Sequence, residues 1–188
     1  MKKLNVFLLA CALSTSCYTV SFAQQDAKKA ADKANDQKFD DKKEDDAEFA
    51  VTAADDGMFE VQAAALANTN ASSPRVKELA KMMMTDHAKA NEELKGVAAK
   101  KNITLPAKLS DKKQEKFDKL TKLKGAEFDK EYSDMMVSAH KDAIDLFQKE
   151  ADKGGDGELK AWAAGKVATL KHHLQMAEST HDAVKNNK

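Results

Sequence analysis

Three observations predict an all-α fold for this chain of 188 residues. Ala, Lys, Leu, Glu and Met abound while glycine and proline number only 7 and 2, so few positions penalise helical backbone. Beyond residue 47 apolar side chains recur every three or four positions, the period of one helical face. The breaks are isolated and strong: Ser73-Pro74, Leu105-Pro106, Gly125 and Gly154-Gly155 separate long periodic runs. The predicted architecture is an antiparallel four-helix bundle with an extra short helix between the second and third long ones.

The chain opens with an export signal over residues 1–23. Lys2-Lys3 is a basic start, Val6 to Leu13 an apolar run, and Ser21-Phe22-Ala23 a small-x-small cleavage site ahead of Gln24. The run is far short of the ~20 residues that span a bilayer, so no anchor helix is expected in the mature chain. Cys17 offers a rival lipid attachment, but Ser14 stands three residues before it where a large aliphatic would be needed. Both cysteines, Cys11 and Cys17, precede the cleavage site, so the mature protein would have no disulfide and no thiolate ligand.

Residues 24–46 carry six lysines and eight acids, with Phe39 as the one large apolar side chain. Such a segment buries too little surface to offset its ordering entropy, and reads as a charged flexible arm. The bundle domain then occupies residues 47–185.

The first long helix is expected from about Asp46 to Asn70, with Phe49, Ala53, Gly57, Val61 and Ala64 along one side and Glu60 on the same grid. Ser73 as N-cap and Pro74 at the first helical position open the second. Its stripe is Val76, Leu79, Met83, His87, Ala90, Leu94 and Val97, closed by Asn102 and Leu105-Pro106. A short helix from Ser110 to about Lys124 offers Phe117, Leu120 and Leu123. The third long helix presents Phe128, Tyr132, Met136, His140, Ala143, Phe147 and Ala151. Gly154-Gly155 stops it, Asp156 caps the fourth, and Leu159, Ala163, Val167, Leu170, His173 or Leu174, and Ala177 follow.

The chemistry-bearing feature is a repeated pattern. Met82-Met83-Met84-Thr85-Asp86-His87 and Met135-Met136-Val137-Ser138-Ala139-His140 each set a histidine on an apolar stripe one turn after a methionine. Glu60, His87, His140 and His173 lie near the middles of the four long helices, so they share one level of a bundle whose helix axes are about 8–10 Å apart. Three imidazoles and a carboxylate suit one divalent transition-metal ion, with Asp86 as an acceptor supporting another histidine. The alternative is a metal-free polar layer that fixes the register of the bundle. Met83, Met136 and Met176 carry thioether sulfur near the same level, although core filling is the commoner use of methionine. His172 and His181 are expected on the surface.

Several function classes lose support. Lys+Arg and Asp+Glu are 31 each, so no net field recruits nucleic acid or an anionic membrane. A di-iron carboxylate centre would need paired Glu-x-x-His motifs, and Glu178-x-x-His181 has no mate. Hydrolase elbows, phosphate-binding glycine loops and Cys-x-x-Cys pairs are absent, and no nucleophile–base pair identifies an enzyme.

A set of short motifs resembles an exported bacterial family known as domain of unknown function 4142. They are Gly57-Met58-Phe59-Glu60-Val61, Asp86-His87-Ala88-Lys89-Ala90-Asn91, Ile103-Thr104-Leu105-Pro106, Gly125-Ala126-Glu127-Phe128-Asp129, and Leu170-Lys171-His172-His173-Leu174. The resemblance implies a ferritin-like helical bundle in the periplasm or at the outer membrane, and places Glu60, Asp86, His87, His140 and His173 on signature positions. Two departures are Ala139 before His140, where the family usually has Asp, and Val167-Ala168 in place of Leu-Pro. Two functional classes follow: a metal-binding envelope bundle, or a metal-free structural, interaction or stress-protection module meeting an envelope partner or a second copy of itself.

Processing is directly testable. Intact mass of envelope-fraction protein should correspond to a chain starting at Gln24, and a diacylglyceryl adduct on Cys17 would reverse that expectation.

Overall fold

The computed structural model describes residues 26–186, with six helices and no strand among them. The export segment and cleavage site expected over residues 1–23 lie outside these residues. The helices are α1 (Ala27–Asp36), α2 (Asp41–Asn70), α3 (Pro74–Lys100), α4 (Asp111–Thr121), α5 (Gly125–Lys153) and α6 (Gly157–Asn186). Four of them are long, as the periodicity predicts, and α4 is the short helix between the second and third. No helix among the described residues is long and apolar enough to cross a membrane.

Two apolar clusters fill the bundle. One joins Phe59, Leu79, Met83, Leu120, Phe128, Tyr132, Met136 and Ala177. The other joins Phe49, Ala53, Leu94, Ala143, Phe147, Leu159, Ala163 and Leu170. The order in which each helix meets them gives its direction. Helices α2 and α6 run from the Phe49–Phe147 cluster to the Met83–Tyr132 cluster, whereas α3 and α5 run the other way. The pairs α2–α3 and α5–α6 are therefore antiparallel, but α3 and α5 point the same way. The segment between them crosses back along the bundle, from Ile103 and Leu105 on one cluster to Leu120 and Leu123 on the other. That crossover departs from a plain up-and-down order.

The crossover is tied down by carboxylates. Asp55 accepts from Ser110 N at 2.8 Å and from Ser110 Oγ at 2.7 Å, while Lys113 pairs with Asp56 at 2.5 Å. Ser110 in turn caps α4, accepting from Lys113 N at 3.3 Å. Asn102 has φ 57° and ends α3, with Ile103 N reaching back to Ala98 O at 2.9 Å.

The charged segment expected as a free arm differs from that expectation. Residues Ala27–Asp36 are helical, and Asp40 caps an α2 that starts one turn earlier than the apolar pattern indicated. The physical reason is polar docking. Asn35 is 1% exposed and brackets Thr104, donating to its carbonyl at 3.0 Å and accepting from its N–H at 2.8 Å. Asp26 accepts from Asp111 N at 2.9 Å. Helix α1 thus lies along the crossover with little apolar burial beyond Ala31.

Helix ends show a second difference. Ser73 makes no side-chain capping bond to α3. Asp129, buried on α5, takes that role across the bundle, accepting from Ser72 N at 3.1 Å and Ser73 N at 2.8 Å. A carboxylate facing the free N–H groups of a helix start is stabilised by the helix dipole as well. At the other end Asp46 accepts from Gly155 N at 2.8 Å and Asp156 N at 2.7 Å, and Asp156 caps α6 as predicted.

Leu94→Ala should destabilise the protein by about 2–5 kcal/mol, the range for emptying a packed leucine site. Asp129→Ala should cost about 0.5–2 kcal/mol, the range for losing a side-chain cap at a helix start. Exposed Lys33→Ala should stay within about 0.5 kcal/mol. Denaturant unfolding of the three variants checks the assignment of the buried face.

Candidate metal centre

Between the two apolar clusters lies a polar layer contributed by all four long helices. Glu60 on α2, His87 on α3, His140 on α5 and His173 on α6 each fall where the helix passes from one cluster to the other. All four are buried, His140 at 0% and His173 at 1% exposure. On α6 it is His173 and not Leu174 that turns inward, which settles the choice the sequence left open.

The three imidazoles meet at the centre. One ring nitrogen of each lies within 4.8 Å of those of the other two. Their ring centroids stand 5.3 to 5.4 Å apart. His87 Nε2 and His140 Nε2 are separated by 3.4 Å. Two nitrogens bound to one tetrahedral ion at about 2.0–2.1 Å would be about 3.3–3.4 Å apart, so this pair already has ligand spacing.

The remaining ring nitrogens are all engaged from outside. His87 Nδ1 donates to Glu60 Oε2 at 2.8 Å, and His140 Nδ1 donates to the Met136 carbonyl, one turn earlier on α5, at 2.9 Å. His173 Nε2 donates to Asp86 Oδ2 at 2.9 Å. Each partner is an obligate acceptor, so the proton of each neutral ring sits on the outward nitrogen. The inward nitrogens, His87 Nε2, His140 Nε2 and His173 Nδ1, are then three lone pairs facing one another. His173 Nδ1 is buried with no hydrogen-bond partner. Three converging acceptors repel unless a cation or a proton lies between them.

Glu60 therefore takes a different place from that expected. It stands behind His87, with Oε1 3.8 Å from His140 Nδ1, and does not join the three inward nitrogens. Asp86, next to His87 in sequence, reaches α6 and orients His173, the supporting role the sequence had allowed it. Carboxylates placed this way fix the tautomer of a ligating imidazole and raise its basicity.

The electrostatics follow from burial and pairing. Burial opposes the Glu60 charge, but the attraction of His87 and His140 and the hydrogen bond from His87 outweigh it, bringing Glu60 down to about 2. Burial also works against a proton on His87, yet the Glu60 carboxylate prevails and raises it. His140 and His173 are both lowered, chiefly by burial. In the metal-free layer an added proton is therefore favoured on His87 over His140 and His173.

A cleft of about 210 Å³ leads to this layer. Glu60, Asp86, His87 and His173 form its inner end, while His140 lies behind them. Lys89, Asn91, Trp162, Lys166 and Thr169 line the rest. Gly57 lets Asn91 approach α2, since a Cβ there would lie 2.0 Å from Asn91 Oδ1. Trp162 Nε1 donates to Glu93 at 3.1 Å, and Lys166 pairs with the same carboxylate. Polar residues spaced along α3 and α6 have the pattern of a solvated helix face, so spacing alone does not mark these cleft residues. Only Gly57, breaking a run of larger residues opposite α3, hinted at a close approach.

The two other histidines divide. His172 is exposed, whereas His181 is partly buried, with Nδ1 3.3 Å from Ser133 Oγ and 3.2 Å from Asp134 Oδ1. Neither reaches the central layer.

The Glu60–His87 pair should leave a pH signature. Glu60 is lowered from 4.5 to about 2, so its contribution is present above pH 4.5 and lost as pH falls towards 2. His87 is raised above 6.5, so its contribution is full below pH 6.5 and lost as pH climbs through the higher folded value. The stability difference between metal-free wild type and Glu60→Gln should peak between pH 4.5 and 6.5 and shrink on both sides, read from denaturant midpoints across pH.

Comparison with known proteins places the chain. No curated protein and no solved structure matches it. One family does, described as Domain of unknown function (DUF4142), and it matches residues 28–180. The match begins within α1 and runs through all four long helices, so the chain belongs to the DUF4142 family.

Proposed function

We propose that this protein is a metal-binding bundle of the cell envelope, holding one divalent transition ion through His87 Nε2, His140 Nε2 and His173 Nδ1. The observation that carries the reading is the convergence of three inward ring nitrogens whose outer nitrogens are already committed to Glu60, Met136 O and Asp86. Neutral imidazoles in this number suit zinc, copper, iron or nickel, and the carboxylates behind them make the donors stronger. Acidic Asp56, Glu60 and Asp86 along the cleft supply an attractive path for a cation. The envelope location rests on the export segment read from residues 1–23.

A metal-free reading has one observation in its favour. When His87 is protonated its Nδ1–H donates to Glu60, and its Nε2–H faces His140 Nε2 at 3.4 Å and relieves part of the repulsion. The layer would then fix register only, as the core of a structural or interaction module.

Thermal unfolding with metal-stripped protein separates the two. Under the metal reading Zn, Co, Cu or Ni ions raise the melting temperature, by about 2.7 kcal/mol of stability at 100 times Kd. His140→Ala and His173→Ala should abolish the gain, while His172→Ala keeps it. Affinity should fall as pH drops, because protons compete for the imidazoles, and the raised His87 extends that competition above pH 6.5. The metal-free reading expects no thermal shift with any ion, yet loss of stability in each layer substitution. Isothermal titration showing no site tighter than about 10 µM, or about −7 kcal/mol, would discard the metal.

A further inference from the structure

The cleft gives the centre a front and a back. His140 is 0% exposed and does not line it, whereas His87 and His173 flank its inner end together with Glu60 and Asp86. An ion held by the three rings has His140 behind it and the other two at its sides, so its remaining coordination direction looks into the cleft. Neither nearby carboxylate stands among the three inward nitrogens, because each holds an outward ring nitrogen instead. Glu60 is bound to His87 Nδ1 and Asp86 to His173 Nε2. A site of three protein ligands with one position open to solvent is the arrangement of reactive metal centres, in contrast to the closed four-ligand sites that only stabilise a fold.

Size and charge narrow what enters. The cleft holds about 210 Å³, room for roughly seven waters at about 30 Å³ each, and lies below the range of pockets for drug-sized ligands. Its lining charges are Asp56, Glu60 and Asp86 against Lys89 and Lys166. A divalent ion at the inner end turns that excess of one negative charge into one positive charge. Lys89 on the rim, the Asn91 amide and the Thr169 hydroxyl are donors facing the same space, and Ala53, Ala143 and Leu170 supply apolar wall.

We propose that the metal-loaded centre takes a small monoanion of three or four heavy atoms, such as a triatomic anion or a short carboxylate, at the open position facing this cleft. The inference rests on the metal reading above. It makes the ion a Lewis-acid site for a small ligand as well as a structural tie between helices.

Cobalt(II) is the probe, because its visible bands report ligand number and exchange. The full mature chain is loaded with cobalt and titrated with sodium azide and, separately, sodium formate. The proposal expects saturable changes in the bands with both anions, and azide affinity about threefold to fivefold weaker in Lys89→Gln, the size of one partly exposed charge interaction. Cobalt affinity should not weaken in that variant, because a positive charge is removed from beside the dication. Bands that form with cobalt but ignore both anions mean that the fourth position is closed, which overturns this inference and leaves the metal reading standing. Anion binding that is indifferent to Lys89→Gln likewise overturns the assignment to the cleft. Failure of cobalt to bind at all overturns the metal reading and this inference with it.

Discussion

The hydrogen-bonded ion pair between Glu60 and His87, 2.8 Å apart and almost wholly buried, is the constraint on which the centre depends. A carboxylate taken from water into an apolar bundle is costly unless it is paired. Here the partner is a histidine whose other nitrogen must then point away from Glu60, towards His140 and His173. One polar contact therefore fixes a tautomer, a ring orientation and the direction of a lone pair. Removing His87 would leave the Glu60 charge uncompensated in the core, a loss of about 3–5 kcal/mol, whereas without Glu60 the buried His87 releases its proton. The pair costs the fold apolar packing at its midpoint, and the two separate hydrophobic clusters on either side are the result.

The topology explains how four residues distant in sequence reach one level. With α2 and α6 running one way and α3 and α5 the other, each helix crosses the boundary between clusters near its own middle. The crossover makes this possible, because it returns the chain to the starting end before α5 begins. Its anchors are adjacent to the site: Asp55 and Asp56, which hold Ser110 and Lys113, are one turn from Glu60 on α2. The two halves of the core also differ in character. Every methionine among the described residues lies in or against the Met83–Tyr132 cluster, while Phe49 meets Phe147 and Trp162 edge to face in the other. Flexible thioether side chains thus lie on one side of the layer only, whereas aromatic rings pack on both.

Much of this was legible in the residues. The long helices, their apolar stripes and the level shared by Glu60, His87, His140 and His173 all follow from periodicity, which reports which face is buried. Periodicity carries no direction, so the parallel course of α3 and α5 could not be read from it. Neither could the capping of α3 by Asp129, since an acid on α5 looks the same whether it meets water or Ser72 and Ser73. Helix α1 escaped notice because it docks by the Asn35 amide rather than by an apolar stripe. Periodicity puts Glu60 on the level of the three histidines, and in the structure its carboxylate meets the outer side of His87. Spacing along a helix locates a carboxylate, whereas its rotamer decides whether it meets a central ion or the far side of an imidazole.

That last distinction bears on how many ions such a centre would hold. Paired-metal sites in helical bundles use carboxylates between the ions, where bridging oxygens offset the repulsion of two dications. In this protein the two carboxylates nearest the rings are both spent on outward nitrogens, Glu60 on His87 and Asp86 on His173. Three neutral nitrogens within 4.8 Å of one another neutralise no charge, and a second dication among them would meet full repulsion. The donor set accordingly matches a single ion under the proposed reading.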